Sequence, residues 1–587
     1  MQKVLTGLAL ASALGCGVML ASSCFGIGDI DRTSPDKVRK TTFFNEDGTP
    51  AEYYFRQTVI DVPATSGVTF IGEQSDTDLV VFEITEEYLF ARRAYGFLQN
   101  DSDSGAVDGN QGDCYIRPGT SPYEGAPIAA FRISSHFDVK RQYNPQTGEQ
   151  TNVLYEDSAD RPWYERDFIR VDWGTNVVAD FRFSGVTAVQ QASSTSVDVP
   201  TEDQHLDDPN RDRPTITPEY IDTVTGYNVT PESYDFSAYG WGMVPQCYFY
   251  SSIYKDCMGG TIKVRNSFRK KVETGYVPLE YDDLRFQKFG FFLTERYTYN
   301  DQYGVVEPAV VRRANRWNIW ADAASCFDAT ADLPYSGCSP ADLRPIVYYL
   351  NADFPRDIPN LLEVARGNGD EWNRVLRQAV MDSTGWSDAD LGDRRMFVLC
   401  ENNPVRDGDP TECGPVDTAP QIGDLRYSMY YYIPNFQFSP PLGYGPSAAD
   451  PLTGEIIQGN AFYYGAAGAT IAARTRDAIK LQLGILTDED ITGGIPATEA
   501  VAAAQAAAAS SSASVRDMGD DISDKVRIMA ENMRIPDKIQ RLRTQVASGE
   551  AMHDKRPSRL QALQNSGLDE LVLTDEMREV FGAHVLE

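Results

Sequence analysis

A six-residue turn near position 450 constrains the fold of this chain more than any other single feature. It lies inside the tyrosine-rich stretch 427–465 and reads Asp-Pro-Leu-Thr-Gly-Glu. Pro451 fixes φ at the first turn position, and Gly454 accepts a left-handed backbone without steric cost. Asp450 accepts hydrogen bonds from the turn amides. Because β-forming residues flank the turn on both sides, the sequence predicts a hairpin with a four-residue loop built around a type I turn.

A second stretch has almost the same turn letters. Residues 144–149 read Asn-Pro-Gln-Thr-Gly-Glu. The residues that flank the two turns do not match. We therefore interpret the similarity as independent use of the same turn chemistry, and not as a duplicated domain.

Length and composition favour a folded protein of several domains outside the cytoplasm. The 587 residues exceed what one ordinary core accommodates. Aromatic residues are 11% of the chain and include 31 tyrosines, which favours β structure. The formal net charge of −32 repels nucleic acid phosphates, so nucleic acid is excluded as a partner. The same charge suits an extracytoplasmic protein.

The N-terminal residues predict export and a lipid anchor. Lys3 is the only charged residue before an apolar stretch at 4–20, which is the pattern of a bacterial secretory signal. Small residues precede Cys24, so we expect lipid modification there, with Cys16 or secretion without lipid as the alternatives. The anchor makes the membrane a partner and places the protein in the bacterial cell envelope, at the outer membrane or cell surface, or in secreted form.

Six cysteines form three close pairs in the sequence. The pairs are Cys247 with Cys257, Cys326 with Cys338, and Cys400 with Cys413. In an oxidising compartment this spacing predicts three local disulfides. Loops of that size stabilise a fold by roughly 3 kcal/mol each. Cys114 is then left over, either free or paired with Cys16 or Cys24 if one of these carries no lipid. No CxxC spacing indicates a structural zinc site.

The order of the patterns predicts an α+β multidomain chain. Short β runs separated by Gly, Asp and Pro turns dominate the first part, as in a sandwich or a barrel, and helical patterns dominate the end. The predicted segments are a signal peptide at 1–23, a tether at 24–50, a β-rich domain at 51–190, a linker at 191–235, a β-rich domain with local disulfides at 236–343, an α/β portion with the hairpin at 344–470, and a helical region at 471–587.

Two stretches around the α/β portion are specific enough to predict individual elements. Residues 346–350 form a short apolar strand, and residues 361–379 form an amphipathic helix whose apolar positions include Trp372. The aromatic and basic run at 314–320 precedes them. We expect its two tryptophans to be buried beside a disulfide, with a ligand surface as the alternative.

Acidic and histidine residues were considered as metal ligands. The stretch 100–113 contains four aspartates that do not match the EF-hand register: Asp101, Asp103, Asp108 and Asp113. We interpret it as a solvated loop, with calcium binding as the alternative. His136 has no second histidine nearby in the sequence, so we expect a packed or exposed side chain and not a ligand.

Five stretches, in order along the chain, resemble one family: bacterial secreted or lipid-anchored zinc-dependent metalloproteases of the HExxH type. They are 161–173, 346–372, 423–427, 443–447 and 450–457. In that family the DPxTGEI turn leads into a zincin-like catalytic domain. The resemblance implies that 344–470 is the pre-catalytic start of such a domain. It also implies that one hairpin lies beside an extended peptide substrate, through Asp450, Pro451, Thr453, Gly454 and Glu455.

The chemistry of that family requires a helix with two histidines four residues apart, which bind zinc, and a glutamate that activates water. The four histidines of this chain do not form the motif: His136, His205, His553 and His584. We expect the zinc helix downstream of these residues, and zinc only together with such a segment. No catalytic residue and no metal ligand is therefore predicted in this chain.

Three functions remain open from the sequence. The first is an envelope lipoprotein that resembles the N-terminal part of a zinc-dependent metalloprotease and is not catalytic as this chain. The second is a non-catalytic surface lipoprotein that binds a peptide, a glycan or a partner protein. A glycan-active hydrolase is a third hypothesis, which depends on a carboxylate pair whose geometry the sequence does not reveal.

Overall fold

The computed structural model shows a β-rich α+β protein with a large curled sheet and a smaller mixed sheet. It describes residues 29–34, 36–63, 69–95, 98–100, 125–178, 189–195, 214–231, 233–235, 237, 242–245, 260–281, 283–300, 304–358, 360–437 and 441–510. The chain divides into two compact units, Met1–Gly468 and Ala469–Glu587.

The described residues form the following strands: β1 Ile30–Asp31, β2 Lys37–Arg39, β3 Glu52–Asp61, β4 Asp78–Ile84, β5 Tyr88–Arg93, β6 Leu98–Asn100, β7 Pro127–Tyr143, β8 Gln150–Asp157, β9 Phe168–Asn176, β10 Val189–Thr195, β11 Thr215–Ile216, β12 Tyr220–Pro231, β13 Ser233–Asp235, β14 Met243–Pro245, β15 Gly260–Lys270, β16 Leu293–Asn300, β17 Gly304–Ala314, β18 Arg316–Trp317, β19 Ile346–Leu350, β20 Phe397–Cys400, β21 Ser428–Ile433, β22 Gly443–Tyr444, β23 Ser447–Ala449 and β24 Glu455–Tyr464. The helices are α1 Asp283–Phe289, α2 Leu361–Thr384, α3 Asp388–Leu391, α4 Gly465–Gln482, α5 Asp488–Thr492 and α6 Ile495–Ser510.

The curled sheet has the strand order β1-β8-β7-β5-β4-β3-β15-β12-β10, with β9 and β2 continuing from β7 and β11 pairing with β12. It bends until β9 meets β12, where Asn176 Nδ2 donates a hydrogen bond of 2.9 Å to Tyr227 Oη. Aromatic side chains fill the inside of the curl, among them Phe82, Phe131 and Phe268, all fully buried. Close packing of these large rings determines the curvature.

Strand β3 is buried on both faces, because the second sheet packs against its outer side. Tyr53 and Phe55 belong to the core inside the curl. Tyr54 points the other way and packs with Leu425 and Ala448 of the smaller sheet region. Because both faces are covered, β3 is buried without interruption from Tyr53 to Val59, and this includes the polar side chains of Arg56, Gln57 and Thr58.

The smaller sheet has the order β18-β24-β21-β19-β20, with parallel pairing throughout this row. The two short strands β22 and β23 pair with β24 in the antiparallel direction. Helix α2 connects β19 to the parallel strand β20, as a crossover connection requires. The predicted strand at 346–350 is confirmed, and the predicted helix at 361–379 is confirmed and extends to Thr384.

Both predicted turns form with the same hydrogen bonds. In the second turn the Asn144 amide donates to Glu149 O at 2.9 Å, and the Gly148 amide donates to Asn144 O at 2.8 Å. In the hairpin the Asp450 amide donates to Glu455 O at 2.8 Å, and the Gly454 amide donates to Asp450 O at 2.9 Å. Both glycines adopt positive φ, +70° and +76°. The predicted four-residue hairpin loop is therefore confirmed.

Two of the predicted disulfides are present, and they fit the oxidising compartment that the sequence predicts. Cys326 pairs with Cys338 and Cys400 with Cys413, with Cα–Cα distances of 4.9 and 5.8 Å. The remaining pair, Cys247 with Cys257, lies outside the described residues. Beside the first disulfide the Trp320 ring stacks on Tyr335 at 5.3 Å and is buried, as expected.

Three predicted segment boundaries differ from the structure. The stretch 24–50, expected as a tether, contributes β1, β2 and the fully buried Phe43. The stretch 191–235, expected as a linker, contains β12, which pairs with β15 along its length. Because β15 also pairs with β3, the residues expected as two β-rich domains share one sheet. Local composition misled these predictions, since long-range pairing decides where a polar strand belongs.

The second unit is helical over its described residues, in agreement with the prediction for 471–510. Helix α5 begins with a capping box in which Thr487 and Asp490 satisfy each other's backbone amides. No helix in the described part of the chain has the length and apolar composition needed to cross a membrane. The rest of the predicted helical region, 511–587, lies outside the described residues.

Candidate functional site

An open cleft of about 360 Å³ lies between helix α2 and one face of the smaller sheet. Along β19 and β21 the side chains alternate between the two faces. Tyr349 and Tyr431 pack against the curled sheet, so Tyr348 and Tyr430 lie on the opposite face, where they line the cleft. The sheet is thus buried on one side and half open on the other.

Aromatic side chains from four strands and the helix form most of the cleft wall. They are Trp317, Tyr348, Trp372, Phe397 and Tyr430. Tyr348 is central, with its ring centroid 6.3 Å from that of Trp317 and 5.3 Å from that of Phe397. Aromatic rings at these separations attract one another through their edges and faces. The cleft therefore has a continuous aromatic floor.

Gly459 of β24 makes this floor possible. A Cβ atom at Gly459 would lie 2.5 Å from Tyr348 Oη and 2.9 Å from Trp317 Cζ2. Both separations are below any normal van der Waals contact. The missing side chain therefore lets the two rings lie across the strand, which explains a glycine inside a central strand.

Helix α2 contributes the opposite wall with an exposed tryptophan. Its buried stripe includes Ala365, Gly369 and Val380, which are small enough to bring the helix close to the sheet. The neighbouring stripe carries Trp372, which is 57% exposed, and Val375, which is 46% exposed. Binding surfaces often have a large, half-exposed apolar side chain at the mouth of a cleft.

The cleft is electrically neutral. Among the described residues that line it, none carries a formal charge. Burial raises the pKa of Tyr348 to about 12 and also raises the pKa of Tyr430, so both hydroxyls remain protonated. These hydroxyls and the Asn368 amide supply the polar contacts. The geometry suits a neutral ligand with apolar surface and a few hydrogen-bonding groups.

The hairpin lies beside the cleft region and is itself buried. Asp450 is 1% exposed and accepts hydrogen bonds from the Leu452 and Thr453 amides at 2.7 and 3.0 Å through Oδ1. Glu455 accepts from Thr274 Oγ1 at 2.6 Å and from Asn318 Nδ2 at 3.1 Å. The two acidic residues of the turn therefore satisfy neutral donors of the same chain.

Strand β24 of the hairpin has strand neighbours on both sides. Strands β18 and β21 pair with successive parts of one edge, and β23 and β22 pair with successive parts of the other. Pro451, Thr453 and Gly454 lie in the loop between β23 and β24. The role of this hairpin beside an extended peptide substrate stays a prediction.

Several predicted site residues lie outside the described residues. They are the lipidation candidates Cys24 and Cys16, the odd cysteine Cys114, and the acidic stretch 100–113 with its alternative of calcium binding. His205, His553 and His584 also lie outside. The lipid anchor and the calcium alternative therefore stay predictions.

His136 is the histidine that the structure describes, and it is packed. Its Nε2 lies 3.0 Å from Glu86 O, and its ring lies 5.0 Å from that of Trp163. Within the described part of the chain, no three His, Cys, Asp or Glu side chains are grouped so that they could hold a metal ion. The described residues therefore do not fit a zinc site, and no step of a zinc mechanism is derived for them.

The sequence did not identify the cleft as such. It placed Trp372 on the apolar face of a helix and Trp317 in an aromatic run next to a disulfide. Of the two tryptophans expected to be buried in that run, Trp320 is buried, whereas the expectation is wrong for Trp317, which is only partly buried and lines the cleft. The feature of the sequence that could have indicated the cleft is the apolar stripe on α2, which is wider than packing against one sheet requires.

Comparisons with known proteins add no relative: no family model, curated protein or solved structure was found to match this chain.

Proposed function

We propose that this chain is an extracytoplasmic lipoprotein that resembles the N-terminal and pre-catalytic part of a zinc-dependent metalloprotease, and that it binds a neutral peptide segment without cleaving it. The observation that carries the binding role is the uncharged aromatic cleft between α2 and the smaller sheet. The protease relationship rests on the ordered stretches of the sequence that resemble that family.

The arrangement of the α/β portion supports the family relationship. A strand, a crossover helix and further parallel strands lead to a hairpin, and helix α4 begins immediately after β24. The resemblance implies a hairpin ahead of a zinc helix in a zincin-like domain. Helix α4 carries neither His nor Glu over Gly465–Gln482. Binding without hydrolysis is therefore the activity proposed for these residues.

The chemistry of the cleft favours a peptide that is uncharged and rich in proline or aliphatic residues. Grooves lined by Trp and Tyr hold such segments because the flat rings pack against apolar side chains, while hydroxyl and indole N–H groups reach backbone carbonyls. Tyr348, Tyr430 and Asn368 provide polar groups within the cleft. A charged peptide would lose water without finding a counter-charge.

Titration of the full chain with short neutral peptides tests this proposal, with acidic peptides of equal length as the comparison. Changes in tryptophan fluorescence report binding. We expect Trp372→Ala and Trp317→Ala each to weaken affinity about tenfold or more, as loss of a central aromatic contact does. Phe436→Ala is the matched control, because Phe436 is 50% exposed and does not line the cleft.

A protease assay tests the second half of the proposal. The full chain is incubated with casein with and without EDTA, and we expect no EDTA-sensitive cleavage. Such cleavage would overturn the proposal that this chain binds without hydrolysis. Equal affinity of the two tryptophan variants and the wild-type protein would overturn the assignment of the cleft.

A glycan is the second candidate ligand, favoured by the flat aromatic floor formed by Trp317, Tyr348 and Phe397. The C–H faces of a pyranose ring pack on such rings, and its hydroxyls would meet Asn368 and the tyrosine hydroxyls. Neutral oligosaccharides titrated in the same fluorescence assay distinguish the two. Saturable binding of an oligosaccharide, lost in Trp372→Ala, together with no binding of peptides, would favour the glycan.

A further inference from the structure

Residues 288–292, here called the aromatic tip, form a second exposed apolar surface. Phe289, Phe291 and Phe292 are exposed by 58, 55 and 76%. Phe289 is the last residue of the short helix α1, and Phe291 and Phe292 lie between that helix and strand β16. Three adjacent phenylalanines this exposed on a folded chain indicate a contact with something other than water.

The backbone of the aromatic tip is held in place while its rings are exposed. The Phe291 amide donates to Tyr281 Oη at 3.1 Å, and the Asn315 amide donates to Phe292 O at 2.9 Å. Tyr281 is itself buried, at 2% exposure. The display of the rings is therefore part of the folded structure and not the result of a frayed end.

The shape of the aromatic tip is that of a projection. Gly290 has φ +64°, and a Cβ atom placed on it would meet nothing within 4 Å. Across this glycine the Phe289 and Phe291 rings stack with centroids 5.7 Å apart. The Lys288 ammonium lies 5.3 Å from the centroid of the Phe289 ring. The aromatic tip therefore presents two stacked phenylalanine rings, the exposed ring of Phe292 and one cation.

We propose that the aromatic tip inserts into the interfacial layer of a lipid bilayer. Transfer of phenylalanine rings from water to the boundary between headgroups and acyl chains is favourable in free energy, and a lysine beside them reaches the lipid phosphates. The net charge of −32 disfavours a second copy of this chain as the occupant, and for the same reason it disfavours an anionic bilayer, so the bilayer proposed is one of zwitterionic lipid. Lys288 supplies local attraction to phosphate on an otherwise acidic protein.

This contact is independent of the proposed peptide binding and of the predicted lipid at Cys24. The aromatic tip would also orient the protein relative to the bilayer, because its position on the fold is determined by Tyr281 and Asn315.

Hydrogen exchange of the full chain, with and without vesicles of phosphatidylethanolamine and phosphatidylcholine, tests the proposal. We expect the amides of the aromatic tip to exchange about tenfold more slowly with vesicles than without. The triple variant Phe289→Ser, Phe291→Ser, Phe292→Ser should lose this slowing, and the single variant Phe292→Ser should lose part of it. Phe436→Ser, a change at another exposed phenylalanine, should keep it.

Before exchange is compared, thermal unfolding of each variant shows whether the fold is retained. If the triple variant does not fold, the comparison uses the single variant Phe292→Ser. Unchanged exchange at the aromatic tip on adding vesicles would overturn the proposal. The same slowing without lipid at raised protein concentration would also overturn it, because the contact would then be between protein molecules.

Discussion

Tyr54 Oη donates a hydrogen bond of 2.7 Å to Asp450 Oδ2, which connects the central strand of the curled sheet to the hairpin of the smaller sheet. The other carboxylate oxygen of Asp450 accepts from two amides of its own turn. One buried side chain therefore both organises the turn and attaches it to β3. Burial, and secondarily the charge of Asp450, raises the pKa of Tyr54, so the phenol remains a donor.

Tyr54→Phe removes this hydrogen bond and leaves a buried carboxylate oxygen without its partner. We expect the free energy of unfolding to fall by about 1–3 kcal/mol, the cost of an unsatisfied buried polar group. Urea unfolding measures the change. Tyr164→Phe is the control, because Tyr164 is 63% exposed. Equal stability of the two variants would contradict the role assigned to the Tyr54–Asp450 contact.

The two similar turns provide a matched pair of glycine substitutions. Gly148→Ala and Gly454→Ala both place a side chain at positive φ, which costs roughly 1 kcal/mol or more. At Gly148 a Cβ meets nothing within 4 Å, whereas at Gly454 it would lie 2.8 Å from Ala314 O. We therefore expect Gly454→Ala to be the more destabilising in urea unfolding. Equal losses would mean that the hairpin is not closely packed against Ala314.

Gly459→Ala tests whether the aromatic floor of the cleft determines binding. The new Cβ forces Tyr348 and Trp317 apart, so we expect peptide affinity to fall about tenfold or more in the fluorescence titration. Gly367→Ala on helix α2 is the control, since its Cβ meets nothing within 4 Å. Gly367→Ala should keep the wild-type affinity for the peptide and raise the free energy of unfolding by about 0.5–1 kcal/mol. Retained binding in Gly459→Ala would count against the cleft.

His136 gives a pH dependence of stability with a defined sign. Burial lowers its pKa below the usual 6.5, and the cations Lys40 and Arg166 contribute in the same direction. The unfolded chain therefore takes up a proton first as pH falls, so the stabilisation is present above pH about 6.5 and is lost below it. His136→Gln should lose less stability than wild type between pH about 7 and pH about 5. Identical pH profiles in urea unfolding would refute this.

Local chemistry allowed prediction of the turns, of strand β19, of helix α2 and of the two described disulfides. Each depends on residues close together in sequence: a proline and a glycine three positions apart, a helical period, a short spacing between cysteines. The curled sheet was not predicted in the same detail. Strand β12 lies in a polar stretch, and its place beside β15 depends on pairing with residues far away in the chain.

The cleft shows the same limit. Trp317, Tyr348 and Trp372 lie far enough apart in the sequence that only the sheet order and the crossover of α2 bring them together. Gly459 explains the aromatic floor only when its distances to Tyr348 and Trp317 are known. From the sequence alone, a glycine in a tyrosine-rich stretch does not indicate a binding surface.

The turns at Gly148 and Gly454 separate what the sequence by itself determined from what the tertiary structure decided. The similar sequences of the two turns determine the same loop, the same hydrogen bonds and the same left-handed glycine, because these depend on φ preferences and on one side-chain acceptor. The first turn stays exposed, and the second is buried against Tyr54 and Ala314. That difference depends on the packing of two sheets, whose contacts join residues hundreds of positions apart.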